Sequence, residues 1–559
     1  MRTVLKLGAV TAAAAMVAAG LVATGSGPAV AAPRTLPQRP VVSASAHGKQ
    51  GQIQALDKAL DAMRKKIAAG SYRWGDLDLR DVFSYKVNRL WSQGIDGDGT
   101  AVAVLEGWNY PDMQSDLDAL DATIGLPDTK VQTVYPDGPL PAQCPAGMVA
   151  LGSYGSCDAW QGELRLDVEA VHLMAPYAKI VISATPSDSE IVGDPSSEVA
   201  MPEIVKGMEY ISRHKLANVR SISDGSSETD YSHGAPEIHA QDVGEITAAA
   251  AGVPIANATG DCGAAQNLTT ATRQCGTVSS GPASATWADS PWVTAIGGST
   301  PQHTAPCPPC SGTNGEDSFP LNRIEGAGLS EMYSRPAYQN GIASITGSSQ
   351  RSLPDITMNS NDGTSEAAPL FAGVLALATQ KKGSNLGPIN DLLYNKLSRQ
   401  AAANGLVDVT SGNNTFTPRN GGPVVPGYSA APGYDVASGW GTVDASLFVP
   451  ALAKAAKRGN PMTDQAAAAL AKVTDTLALT PSSSVSPTAT VDVTSTGFLP
   501  GHPVTLTVDG APLATVTADT SGNWSYAFTA AEKGFTKGKH TLRVSSLLLD
   551  QQQKFSVTS

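Results

Sequence analysis

Apolar residues in the first part of this 559-residue chain recur in two rhythms. Ile53, Leu56, Leu60, Met63 and Ile67 fall at helical spacing and predict one amphipathic helix. From residue 79 to 457, short runs at 100–105, 179–183, 219–223, 253–258 and 292–296, rich in Val, Ile and Ala, read as buried strands. Stretches of helical period lie between them, such as 202–214 with Ile204, Met208 and Ile211 on one face. Alternation of this length predicts an α/β fold, a doubly wound and mostly parallel sheet covered on both faces. In such folds active residues collect at the carboxyl ends of the strands.

The rhythm changes near residue 458. An Ala-rich segment, 458–478, reads as a linker, with Thr480-Pro481-Ser482-Ser483-Ser484 just beyond it. Alternating strands at 490–493, 504–508, 514–518, 524–528 and 540–544 follow, separated by turns such as Asp509-Gly510. Residues 479–559 therefore read as a small all-β immunoglobulin-like sandwich without a catalytic cluster, more a spacer than a reader of cell-wall or polymer ligands.

At the other end, residues 1–32 read as a secretory signal. Arg2 and Lys6 supply the basic start, and Ala29-Val30-Ala31-Ala32 offers a small-residue cleavage site. Thr24-Gly25-Ser26-Gly27-Pro28 breaks the apolar run below a membrane span. Residues 33–78 form a leader carrying the amphipathic helix. The expectation is an exported, extracellular protein, monomeric and not inserted in a membrane. Six cysteines suit that compartment. They fall close together as Cys144 and Cys157, Cys262 and Cys275, Cys307 and Cys310, and local pairing is the simplest of fifteen connectivities. Cys307-Pro308-Pro309-Cys310 lacks the second cluster a zinc site needs. The net charge of −12 argues against a nucleic-acid partner.

The candidate chemistry starts at Asp362-Gly363-Thr364-Ser365-Glu366, which runs into the apolar stretch after Pro369. A serine at a helix N-terminus sits where the dipole favours developing negative charge, but it needs a base. No histidine lies in a His-Gly-Thr-His type motif. Glu163 and Asp167 instead stand four apart, on one helix face. A serine worked by carboxylates is a hydrolase design for acid pH.

In order along the chain, residues 79–457 resemble the sedolisin family, the serine-carboxyl peptidases with a subtilisin-like fold. Val102 to Gly107 is similar to a first strand ending in glutamate, here Glu106. Glu163 to Asp167, followed by Met174-Ala175-Pro176, resembles the acid-pair helix. Ala258-Thr259-Gly260-Asp261 resembles the strand end with the oxyanion aspartate, and Gly363-Thr364-Ser365 takes the nucleophile position. Ser290 to Gly298 and Arg335 to Gln339 match further segments. The resemblance implies Ser365 as nucleophile, Glu163 as general base, Asp167 as the group that hydrogen-bonds and orients it, and a protonated Asp261 in the oxyanion hole. Glu106 would add a carboxyl network behind Glu163. Glu163 must be ionised while Asp261 is protonated, which sets an expected optimum around pH 3–5.

The resemblance also implies one structural Ca2+. The side chains of Asp408 and Asp435 and the carbonyls of Val409, Ala431 and Gly433 are its expected ligands. Three departures stand beside the match. The leader is far shorter than the family's prodomain. Pro354-Asp355-Ile356-Thr357 lies only a few residues before Gly363, where a longer excursion is usual. Asp224 stands where the family tends to have tryptophan, and Asp362 where it tends to have glycine. The expected function is a secreted, acid-acting serine-type endopeptidase hydrolysing peptide bonds in proteins and peptides. The departures leave two rivals: a catalytically inactive extracellular binding module, or a neutral enzyme using His172, His214 or His233.

Overall fold

The computed structural model describes residues 39, 48–136, 138–141, 143–144, 156–185, 202–231, 238–239, 241–268, 274–302, 320–322, 325–418, 422–471, 476–480, 483–496, 503–519, 523–546 and 549–558. The expected signal segment, His233 and the Cys307–Cys310 pair lie outside them.

Seven parallel strands build the central sheet: β1 Ala101–Gly107, β2 Val131–Val134, β3 Lys179–Thr185, β4 Val219–Ile222, β5 Ile255–Ala258, β6 Thr294–Ser299 and β7 Ile356–Asn359. Their spatial order is β7-β6-β5-β4-β1-β3-β2. The chain winds out from β1 to one side, then crosses back and builds β4 to β7 on the other. The switch lies between β1 and β4, where a cleft opens beyond the strand ends.

Side-chain alternation assigns the two faces. Val102, Val104, Ile180 and Ile182 join the core beneath helices α3 (Cys157–Met174) and α6 (Thr364–Lys382). Ala103, Leu105 and Val181 join the opposite core with Ile204, Met208 and Ile211 of α4 (Pro202–His214). By the same alternation Glu106 follows Val102 and Val104 onto the α3/α6 face. Strand β2 and strand β7 escape the sequence reading, because β2 (Val-Gln-Thr-Val) is a short edge strand and β7 sits in a run broken by Pro354.

The amphipathic helix is α1 (Gly48–Ala68), and its partner surface lies in this chain. Leu56, Ala59, Leu60, Met63 and Ile67 are buried in the α3/α6-side core, against α2 (Met113–Ile124) and the turn at Val87–Trp91. Beyond the α/β domain, α7 (Ala445–Ala456) packs on α6. The expected linker contains a further helix, α8 (Pro461–Ala471), docked on α5 (Asp242–Ala250) through Ala466, Leu470, Ile246 and Ala249. Alanine-rich sequence reads equally as spacer or helix until a partner surface is known.

The C-terminal segment forms two β-sheets, of three and five strands, around one apolar core that includes Val491, Val493, Leu506, Val544 and Phe555. All pairings are antiparallel except Ser484–Val485 with Leu549–Val557. Among the described residues no helix is long and apolar enough to cross a membrane.

Candidate active site

Helix α3 begins at a cap: the Ser156 side chain accepts from Ala159 N at 3.2 Å. It carries Glu163 and Asp167 one turn apart. Helix α6 carries Ser365 in its first turn and lies directly on α3. Gly373 permits that approach, since a Cβ there would stand 2.5 Å from Met174 Cβ. The N-terminus of α6 has no cap of its own at Gly363, whose φ is +90°. Asp261, just past β5, supplies it: Oδ1 accepts from Thr364 N at 2.6 Å and from Thr364 Oγ1 at 2.8 Å. A side chain at 363 would strike Asp261 Oδ2, so only glycine fits.

These elements meet in a cleft of about 270 Å³ lined by Glu163, Ser223, Asp224, Asp261, Asp362 and Ser365, among others. The Ser365 and Glu163 side chains face one another across this cleft, and Glu163 Oε1 is buried without a hydrogen-bond partner. Burial pushes Glu163 up to about 7, the nearby Ser365 hydroxyl opposes this, and the Asp261 and Asp76 charges add to it. Burial also raises Asp261, against the Thr364 and Gln274 hydrogen bonds that favour its charged form.

Asp167 departs from the expected arrangement. Glu163 acts on it through charge, and its hydrogen bonds go to Ser223 Oγ, 3.1 Å from each carboxyl oxygen, and to Glu106. Glu163 lies nearer the nucleophile on the shared face of α3, so a turn farther along Asp167 meets the ends of β1 and β4 instead. Burial drives Asp167 and Glu106 well above the usual carboxyl range, and proximity of the acids to one another adds to it. The Ser223 backbone N–H closes the network on Glu106 Oε1 at 2.6 Å.

Sequence reasoning misses Ser223 as a site residue, and its role comes from Pro369. Proline has no N–H, so the Ser365 carbonyl four residues earlier lacks its helical donor. Ser223 Oγ stands 3.3 Å from that carbonyl oxygen. It thereby links the nucleophile's backbone to Asp167. Gln274 is the second residue that sequence reasoning misses; its Nε2 donates to Asp261 Oδ2 at 2.6 Å. Its signal is adjacency, because Cys262–Cys275 is a disulfide and those cysteines neighbour Asp261 and Gln274. The other disulfide among the described residues, Cys144–Cys157, is also local.

The histidine rivals fall elsewhere. His172 is buried with Nε2 2.7 Å from Asp121 Oδ1, and His214 packs on the Tyr210 ring. Among the described residues no histidine lines the cleft.

The expected calcium ligands come together on two loops. Asp408 Oδ2 accepts from Gly433 N at 2.7 Å, and Asp435 Oδ2 from Ala431 N at 2.8 Å. Ser438 Oγ bridges the Val409 carbonyl, at 3.5 Å, and both Asp435 oxygens, at 3.1 Å. Both carboxylates thus reach the 431–433 turn, and carboxylates with backbone carbonyls are the oxygen donors such a cation takes. Among the described residues no three His, Cys, Asp or Glu side chains gather into a metal cage, so backbone carbonyls would have to complete such a site.

An all-parallel sheet with helices on both faces, a serine opening a core helix and acids at the strand ends define a subtilisin-like α/β fold. No protein-family model matches the chain. It is 27% identical over 392 residues to kumamolisin of Bacillus sp. (strain MN-32), covering 66% of this chain and 63% of that protein. It is 28% identical over 317 residues to tripeptidyl-peptidase 1 of Rattus norvegicus, covering 50% of each. The chain thus spans less than two thirds of the length of these relatives. A Pseudomonas sedolisin, a serine-carboxyl proteinase, superposes with a TM-score of 0.49 at 24% identity, over 63% of this chain and 91% of that one. In sequence the chain is thus similar to kumamolisin and tripeptidyl-peptidase 1, in line with the resemblance to serine-carboxyl peptidases that its motifs carry.

Proposed function

We propose that the protein is a secreted serine-carboxyl peptidase acting at acid pH on proteins or peptides. The observation that carries this reading is Ser365, at the start of a core helix, sharing one cleft with the buried Glu163 and with Asp261. Ser365 Oγ attacks the scissile carbonyl carbon while its proton passes to Glu163. Protonated Asp261 donates to the tetrahedral oxyanion, and the N-terminus of α6 favours the same charge. Collapse breaks the C–N bond, and Glu163 returns the proton to the leaving amine. Water then releases the acyl group by the same route, with Glu163 again as base. Asp167 acts on Glu163 through its charge and shared proton with Glu106, and on Ser365 through Ser223.

Activity requires Glu163 ionised and Asp261 protonated in the same molecule. The limbs of the pH profile are then set by these two raised carboxyls, whichever titrates first. The upper limb falls near pH 7, the value for Glu163, and the optimum moves up from the reference carboxyl range into the mildly acid range. Asp261→Ala is expected to lower kcat about 10²–10³-fold, the usual effect of losing an oxyanion donor. Asp261→Asn keeps a donor that does not titrate, so it should retain part of the activity and lose the limb that Asp261 sets. A kcat profile of the three proteins from about pH 3 to 8 tests this, spanning the carboxyl range. Equal profiles for wild type and Asp261→Asn would remove Asp261 from the oxyanion role.

We also propose that Asp408 and Asp435, with the carbonyls of Val409, Ala431 and Gly433, hold one structural Ca2+. Chelation with EGTA should lower the melting temperature, and Asp435→Ala should abolish the calcium response. Metal analysis should find one ion per chain. A melting temperature indifferent to EGTA in a calcium-containing protein would count against the site. Extracellular action follows from the signal reading of residues 1–32, and secretion of the mature chain beginning near residue 33 tests it.

A further inference from the structure

Among the described residues the cleft is lined by four carboxyl side chains, Glu163, Asp224, Asp261 and Asp362, and by no Lys, Arg or His. Three of the four are engaged. Glu163 faces the Ser365 hydroxyl, Asp261 takes Thr364 and Gln274, and Asp362 pairs with Arg73. Asp224 differs: the hydrogen bond its carboxyl receives is from the next residue's own N–H, Gly225 N to Oδ1 at 2.8 Å. It is half-buried at the end of β4, one residue from Ser223.

Its backbone is held firmly. Asn257 Nδ2 donates to the Asp224 carbonyl at 3.3 Å, and Ser223 N is bound to Glu106. A Cβ at Gly225 would stand 2.6 Å from the Thr286 carbonyl oxygen, so the turn that presents Asp224 to the cleft excludes a side chain there.

We infer that Asp224 is a specificity-determining residue that pairs with a substrate cation, a guanidinium or ammonium group close to the scissile bond. This rests on the peptidase reading and names the substrate class it favours. A carboxylate in a confined, acid-lined cleft gains most from a cationic partner and repels an anionic one. The cation is supplied by an Arg or Lys side chain or by the peptide's own N-terminus.

The same contact makes selectivity depend on pH. Burial, then the charges of Glu203 on α4 and Glu163 on α3, push Asp224 up to about 7, with the Gly225 N–H opposing; Glu106 on β1 also faces it. A substrate cation favours the ionised form and pulls it back down. Preference for a cationic substrate over a neutral one of equal length should therefore grow as pH rises toward 7.

The test uses paired fluorogenic peptides differing by Arg against norleucine at each residue flanking the cleaved bond. Each is made with a free and an acetylated N-terminus, and kcat/KM is measured at several pH values. The wild type should cleave the cationic member about tenfold better or more, as for one charge-assisted contact, and the ratio should rise with pH. Asp224→Asn should bring the ratio near one and flatten its pH dependence. Asp224→Lys should favour a Glu-containing peptide. An Arg preference that survives acetylation assigns the cation to a side chain, and a preference for free over acetylated peptides assigns it to the N-terminus. Equal cleavage of all wild-type pairs overturns the inference and leaves the peptidase reading standing. Cleavage of no peptide, by folded protein at any pH, overturns both.

Discussion

Ser365→Ala is expected to reduce kcat/KM on a denatured protein substrate by roughly 10⁵–10⁶-fold, the loss seen when a serine peptidase's nucleophile is removed. The substitution deletes one hydroxyl that faces the cleft and leaves the Thr364 to Asp261 contacts at the start of α6 in place. Thermal unfolding should therefore hardly change. Glu163→Gln should fall by a comparable factor, because an uncharged amide cannot take the Ser365 proton. The double variant should be little worse than either single one, since the two residues act as a unit. Assays at mildly acid pH with matched unfolding curves separate this from misfolding. Retention of wild-type cleavage by Ser365→Ala would end the serine-peptidase reading and return attention to binding.

The second large effect is on stability, and its sign is opposite to ordinary acid denaturation. The α/β domain holds many buried carboxyls whose pKa values lie above their unfolded values. Burial drives Glu163 and Asp224 to about 7 and Glu366 to about 8, and takes Asp81, Glu106, Asp167, Glu245 and Asp289 well above the usual range. A carboxyl raised in the folded state binds its proton more tightly there than in the unfolded chain. Its contribution is complete below the unfolded pKa, near 4, and is lost as pH rises through the folded pKa. Each tenfold gain in proton affinity on folding is worth about 1.4 kcal/mol, and several groups contribute. Unfolding free energies from urea titrations should thus fall from about pH 5 to 8, by an amount on the order of several kcal/mol. Stability that climbed steadily to pH 8 would show that these acids are ionised and otherwise stabilised in the folded protein.

Much of this organisation is legible in the chain because burial on both faces favours short runs rich in Val, Ile and Ala. The runs at 100–105, 179–183, 219–223, 253–258 and 292–296 coincide with β1, β3, β4, β5 and β6 within a few residues. Strand β2 is not legible, since an edge strand buries too little to be forced apolar. The acids are legible as residues but not as contacts. Spacing places Glu163 and Asp167 on one face of α3, yet only tertiary packing decides that one meets Ser365 and the other Ser223 and Glu106. Ser223 can be reached from Pro369 by asking which donor satisfies the carbonyl that proline leaves open. The local Cys262–Cys275 pairing is legible from spacing, but that it sets Gln274 against Asp261 is decided only by the fold.

The Cys262–Cys275 bond ties Gln274 to Asp261, and this couples chemistry to cellular geography. Before that bond forms, nothing covalent holds the glutamine against the acid that would receive the oxyanion. Thiols stay reduced in the cytosol and oxidise after export. For the secreted peptidase proposed above, a newly made chain would therefore be at its least competent among the producing cell's own proteins and would gain its full site after leaving them.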